Sequence, residues 1–226
     1  MEEDESEERD AKGSSDEGRA RTATAAEQTY TWREAARTWQ FWLLYAMLVV
    51  VNAVGLMLIG KAVAFADQFG LPAAVLTAAA SVVALSDSAG LLAIGGLSDR
   101  LGRERTAAAT VTLSGVAIAL AVWAGATQQA LPFVVLLGAA AFFRSSVFSI
   151  VPSLVGEYYG QARSSENYAV LYTAKVWGGI GGGVVASLLI TRVGWSTAFL
   201  LGAVALSAVG LSLTKLRPVE LESSHR

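Results

Sequence analysis

Apolar residues in this chain neither alternate nor keep to one helical face. They come in six nearly continuous runs, over 41–65, 73–97, 106–126, 133–155, 167–190 and 195–213, separated by short polar connections. A helix needs about 20 apolar residues to cross hydrocarbon, and a backbone in lipid must satisfy its own hydrogen bonds, so each run predicts a transmembrane helix. The connections punctuate them in the same sense. Thr31 and Glu34 stand at capping-box spacing and open a short helix whose Trp32 and Trp39 suit a headgroup interface. Pro72 takes a first-turn position in the second run, and Pro152 predicts a kink in the last turns of the fourth. Lys215, Arg217 and Pro218 end the pattern. The reading is an all-α polytopic membrane protein with a six-helix bundle over 31–217. A disordered, acidic, cytosolic tail is expected over 1–30 and a second cytosolic tail over 218–226.

Composition agrees and removes alternatives. A hydrophobic content of 54%, a mean hydropathy of +0.48 and only 16% charged residues exclude an ordinary soluble domain. The net charge of −2 hides a split, because the first 40 residues carry 11 acids against 6 bases and the remainder 8 acids against 11 bases. There is no cysteine, and the single histidine, His225, lies in the final tail. Thiolate or histidine zinc sites and Ser–His proteolysis are therefore excluded from the spans, nothing calls for a cofactor, and an enzyme is the weakest class. The basic residues lie beside the membrane without interleaved aromatics, which excludes a nucleic-acid partner. Six spans put both termini on one side. That side carries Arg100, Arg103, Arg105 and Arg163, against Arg192 and Lys61 opposite, so both termini are expected in the cytoplasm of a cell with this chain in its plasma membrane.

Three charges interrupt the runs: Asp87 in the second, Arg144 in the fourth and Lys175 in the fifth. Each lies about 12–21 Å from a helix end, so all three fall near the midplane, where an unpaired charge costs at least about 2.5 kcal/mol. They predict a central polar cavity, with Tyr45, Asn52 and Tyr172 as further lining. The bland alternatives are that Asp87 and Arg144 form only a structural ion pair and that the polar residues are interhelical glue. Net charge among the three is +1, which points to a monoanion. Gly178, Gly179, Gly182 and Gly183 give two small-xxx-small pairs for close helix packing; without a preceding strand or a following Lys-Ser/Thr they do not form a phosphate loop.

Between the second and third runs stands Gly95-Gly96-Leu97-Ser98-Asp99-Arg100-Leu101-Gly102-Arg103-Glu104-Arg105. It resembles the cytoplasmic G-x-L-[SA]-D-R-x-G-R-[KR]-[KR] loop of the major facilitator superfamily, departing from it at Glu104. The region from Thr31 to Arg217 is similar to one six-helix half, the C-terminal one. The oxalate/formate antiporter group is the nearest likeness, on WREAARTWQFW (32–42), Gly55-Leu56-Met57, PSLVGEYYG (152–160), Asn167-Tyr168 and Tyr172-Thr173-Ala174-Lys175. The resemblance implies a transporter of small organic anions working by alternating access, with Lys175 binding a carboxylate and Gly95, Asp99, Arg100, Gly102 and Arg103 as a conformational latch. Where that group has an Asn and a Gly-Arg pair on the second helix, this chain has Asp87, Gly90 and Leu91, so one cation is missing. Arg144 is expected to replace it or to pair with Asp87. A complete transporter needs an N-terminal six-helix half or a second copy, and Met1 falls where a central linker would be, which points to a split or truncated gene. The competing class is a non-transporting structural or regulatory membrane subunit.

Overall fold

A computed structural model describes residues 29–217, so the expected tails, apart from Thr29 and Tyr30, lie outside the described residues. Six helical rods long and apolar enough to cross a membrane run over Trp39–Gln68, Ala73–Leu101, Arg103–Ala126, Ala130–Tyr159, Gln161–Val193 and Trp195–Leu213. They are called here the first to sixth spans. Most exceed their apolar run, because helix formation continues through the polar flanks until a glycine or a cap stops it. Gly102, Gly160 and Gly194, at φ 91°, 87° and 85°, close the second, fourth and fifth spans.

The first span is central and packs on the second, fifth and sixth, while the third sits between the fourth and sixth. Glycine sets the close seams. Between the second and fourth spans, Gly90 lies against the Phe142 carbonyl, and Gly138 against Val82 and Ser86. Between the third and sixth, Gly115 faces Ala203 and Ser207, and Gly210 faces Thr112. In lipid the helices gain nothing from hiding apolar surface from water, so such backbone approach is what holds them. At one end Phe65 and Phe199 stack at 3.8 Å, with Phe133 5.6 Å from Phe65, pinning the first, fourth and sixth spans.

At the other end the entry segment is tied down. Thr31 and Glu34 close the capping box, and the Thr31 N–H and hydroxyl, both donating to the Glu34 carboxylate, hold that carboxyl below its usual range. Tyr30, assigned from sequence to the tail, belongs to the bundle instead. Its N–H donates to the Tyr159 carbonyl at 2.9 Å, its own carbonyl accepts from Asn167 Nδ2 at 3.0 Å, and its ring stands edge-on to Tyr159.

Two spans are broken in ways the apolar pattern hides. The fourth is interrupted at Ser146, six residues before Pro152, where the kink was expected. Ser145, Ser146 and Ser149 each donate their hydroxyl to the carbonyl three residues back, loosening the ladder there. The fifth is interrupted at Thr173, whose hydroxyl does the same to Val170, and winds as a π-helix over Gly181–Val185.

Candidate functional site

Both interruptions flank a cation: Ser146 follows Arg144 by two residues and Thr173 precedes Lys175 by two. A backbone that is irregular at membrane depth is tolerated only where protein or a water-filled cavity surrounds it. The two breaks therefore mark the same region that the charges mark.

Arg144 is buried, with its side chain 4% exposed, and its guanidinium donates to the Asp87 carboxylate, whose side chain is 29% exposed. The guanidinium lies against Gly55 of the first span, where any Cβ would overlap it. One cation is thus enclosed by three spans, and its Nε has no hydrogen-bond partner. Lys175 stands apart from this pair. Among the described residues the ion pairs are Arg144–Asp87, Arg103–Asp99 and Arg103–Glu157, so Lys175 has no carboxylate partner there. Its ammonium donates to the Tyr172 hydroxyl and lies 4.3 Å from the Tyr172 ring centroid and 4.9 Å from that of Phe148. Phe148 is four residues beyond Arg144, so the two cations address one stretch of the fourth span, one buried and neutralised, the other exposed on aromatic faces. Phe148 carried no charge or motif and went unread in the sequence.

The structure does not bring Asn52 into this group. It is 6% exposed, donates to the Leu48 carbonyl at 2.7 Å and packs its Cβ against Gly178. Tyr45 hydrogen-bonds Thr173 at 3.2 Å, beside the break. Of the four glycines, Gly178 and Gly182 lie on the first span, joined by Gly181, whereas Gly179 and Gly183 have nothing within 4 Å. The small-xxx-small pattern has one face inside the chain and one outside it.

The loop after the second span is a separate polar cluster. Arg103 donates to Asp99 at 2.9 Å and to Glu157 at 2.7 Å. Glu104, the departure from the family pattern, accepts from the Tyr158 hydroxyl. Tyr159 then bonds Thr38 at 2.9 Å. Three consecutive residues at the end of the fourth span therefore fasten the loop and the entry segment. A methyl group added at Gly95 would lie 3.3 Å from the Ser149 side chain, and Arg100 has no acidic partner among the described residues. Gly102, at φ 91° and ψ 128°, occupies a region essentially reserved for glycine. Gly102→Ala is expected to lower stability by about 1–3 kcal/mol from backbone strain alone, with open space around the new methyl group; thermal unfolding in detergent micelles measures it.

Comparison with known proteins gives the family of the chain. The chain is 30% identical over 188 residues to the "Oxalate:formate antiporter" of Oxalobacter formigenes, covering 83% of this chain and 45% of that protein. It is 32% identical over 149 residues to the "Uncharacterized MFS-type transporter YhjX" of Escherichia coli (strain K12), covering 65% of this chain and 36% of that protein. The chain thus spans less than half the length of either relative. The model of the Major Facilitator Superfamily matches residues 42–225, and the six-helix chain described here belongs to that superfamily as an all-α, multi-pass membrane protein with the fold of one half.

Proposed function

We propose that this chain is one half of a secondary transporter that carries a small organic monoanion by alternating access, with Lys175 binding the anion's carboxylate. The observation that carries this reading is the division of labour between the cations. Arg144 is already neutralised by Asp87, and Lys175 is exposed with aromatic neighbours and no carboxylate among the described residues. A carboxylate arriving there would complete one ion pair in surroundings where pairing counts for far more than in water. Of the two anions in the first relative's name, formate matches a single available cation. Tyr172 holds the ammonium in place, and Asp87 serves Arg144, a register-fixing role.

The partner half belongs on the second and fifth spans. Their most apolar windows are each 17% buried, against 50–61% for the first, third and fourth spans. Leu85 and Leu92 on the second span, and Val176, Trp177 and Val184 on the fifth, are strongly exposed. A separate N-terminal half or a second copy would cover them, leaving the remaining apolar surface to the bilayer. The assembly would sit in the plasma membrane with both termini cytoplasmic, the loop of Asp99 and Arg103 latching one state.

Uptake of labelled formate into proteoliposomes tests this, with the chain alone and with a co-expressed N-terminal half. Flux is expected in one of the two preparations and to fall at least tenfold in Lys175→Met, consistent with about 2–5 kcal/mol for a desolvated charge pair. Absence of flux in both preparations would favour the structural or regulatory subunit. Full flux in Lys175→Met would remove the lysine from the site.

A further inference from the structure

Two grooves open on the outer surface of the third span at its loop end. One, of about 720 Å³, lies between the third and sixth spans and is lined by Ala108, Thr112, Leu211, Thr214 and Leu216. The other, of about 330 Å³, lies between the third span and its neighbours and is lined by Ile94, Leu97, Leu101 and Phe143. Both are also lined by Arg105, Ala109 and Leu113. These three are spaced i, i+4, i+8, so they form one stripe of the third span, a ridge with a groove on either side. The ridge runs about 12 Å along the helix, close to the depth of one leaflet's hydrocarbon. Arg105, at its polar end, is exposed and has no acidic partner among the described residues. Glu104, the acid on the wider groove, is occupied by the Tyr158 hydroxyl. Neither groove contains the Arg144–Asp87 pair or Lys175.

We propose that this ridge is a binding site for one anionic phospholipid, with its phosphate on Arg105 and an acyl chain in each groove. The fit is one of charge and of depth. A cation sits at the headgroup level, two largely apolar channels descend from it, and the ridge between them is low at Ala109, with Ala108 widening the larger channel. Lys215, between the lining residues Thr214 and Leu216, adds positive charge at the same end. This assignment is independent of what the chain transports.

The full chain, purified and equilibrated with vesicles of phosphatidylcholine and phosphatidylglycerol at four to one, tests it by native mass spectrometry of the lipid that stays bound. The expected result is one retained phosphatidylglycerol per chain. Arg105→Gln should lower its preference over phosphatidylcholine about fivefold, in line with about 1 kcal/mol per basic residue at a membrane surface. Arg105→Lys and Arg100→Gln should leave it unchanged. Ala109→Phe, which keeps the charge and crowds both channels, should lower retention as strongly as Arg105→Gln, with circular dichroism confirming that each variant keeps its helix content. Equal losses from Arg100→Gln and Arg105→Gln would reduce the site to diffuse surface charge and overturn the proposal. Displacement of the lipid by inorganic phosphate would make it a phosphate site. A rise in retained lipid on removing residues 218–226 would make that segment the occupant.

Discussion

Asp87→Asn is expected to cost this protein more stability than Arg144→Met, although both remove the same ion pair. The asymmetry follows from burial. Arg144, 4% exposed in its side chain, is enclosed by three spans, and a guanidinium has no neutral form to retreat to. Asp87→Asn strands that cation, and losing one partner of a buried pair costs about 3–5 kcal/mol. Arg144→Met instead strands a carboxylate that is 29% exposed. That group is open enough to recruit water, so the cost should stay near the 1–3 kcal/mol of an unsatisfied polar group. The double variant Asp87→Asn/Arg144→Met should be close to the wild type, because a neutral pair of similar volume carries no desolvation penalty. Unfolding midpoints of the four proteins in one detergent give the comparison directly. If Arg144→Met were the more damaging single change, the carboxylate would be the group that depends on the pair, and its role as a mere counter-ion would have to be given up.

That result would also settle how the intramembrane charges divide. The sequence showed three charges on three helices and left two arrangements open, since spacing along a chain carries no information about which helices touch. Arg144 was legible as buried because an arginine inside an apolar run has nowhere else to go. Its pairing was not, because it depends on Gly55 and Gly90 letting the first, second and fourth spans come together. The six spans themselves were readable because lipid imposes one solution on every apolar run. Asn52 was misplaced for a related reason. A polar residue in mid-span signals only that it faces protein, and here its amide bonds its own helix while its Cβ meets Gly178. The breaks at Ser146 and Thr173 had a signal that went unused, the hydroxyl side chains that compete with the helix ladder. The loop was legible as a motif, but not the continuation of the second span through it to Leu101 with the turn on Gly102 alone, and its attachment to Glu157 and Tyr158 joins two motifs that are 54 residues apart.

Glycine substitutions should produce the widest spread of effects in the molecule, graded by what a methyl group would meet. At Gly90 it would overlap the Phe142 carbonyl, and a backbone atom in a packed helix cannot step aside. Gly90→Ala must therefore push the second span away from the fourth. Overpacking of this kind costs about 1–3 kcal/mol, and Gly90 lies one turn from Asp87, with Phe142 two residues from Arg144. Loss of the ion pair should add to the damage, so the total is expected to match or exceed that of Asp87→Asn. At Gly95 the methyl group would lie 3.3 Å from the Ser149 side chain, which can rotate, and the effect should be small. At Gly179 nothing lies within 4 Å, and alanine there is expected to be neutral or to stabilise the helix by up to about 1 kcal/mol. Gly179→Leu goes further, because it separates packing within the chain from packing against a second six-helix unit. It should leave the unfolding midpoint of the isolated chain unchanged or slightly raised and yet weaken co-purification with that unit. A bulky residue tolerated in both measurements would mean that lipid alone covers this face of the fifth span, and the partner interface would have to be sought on the second.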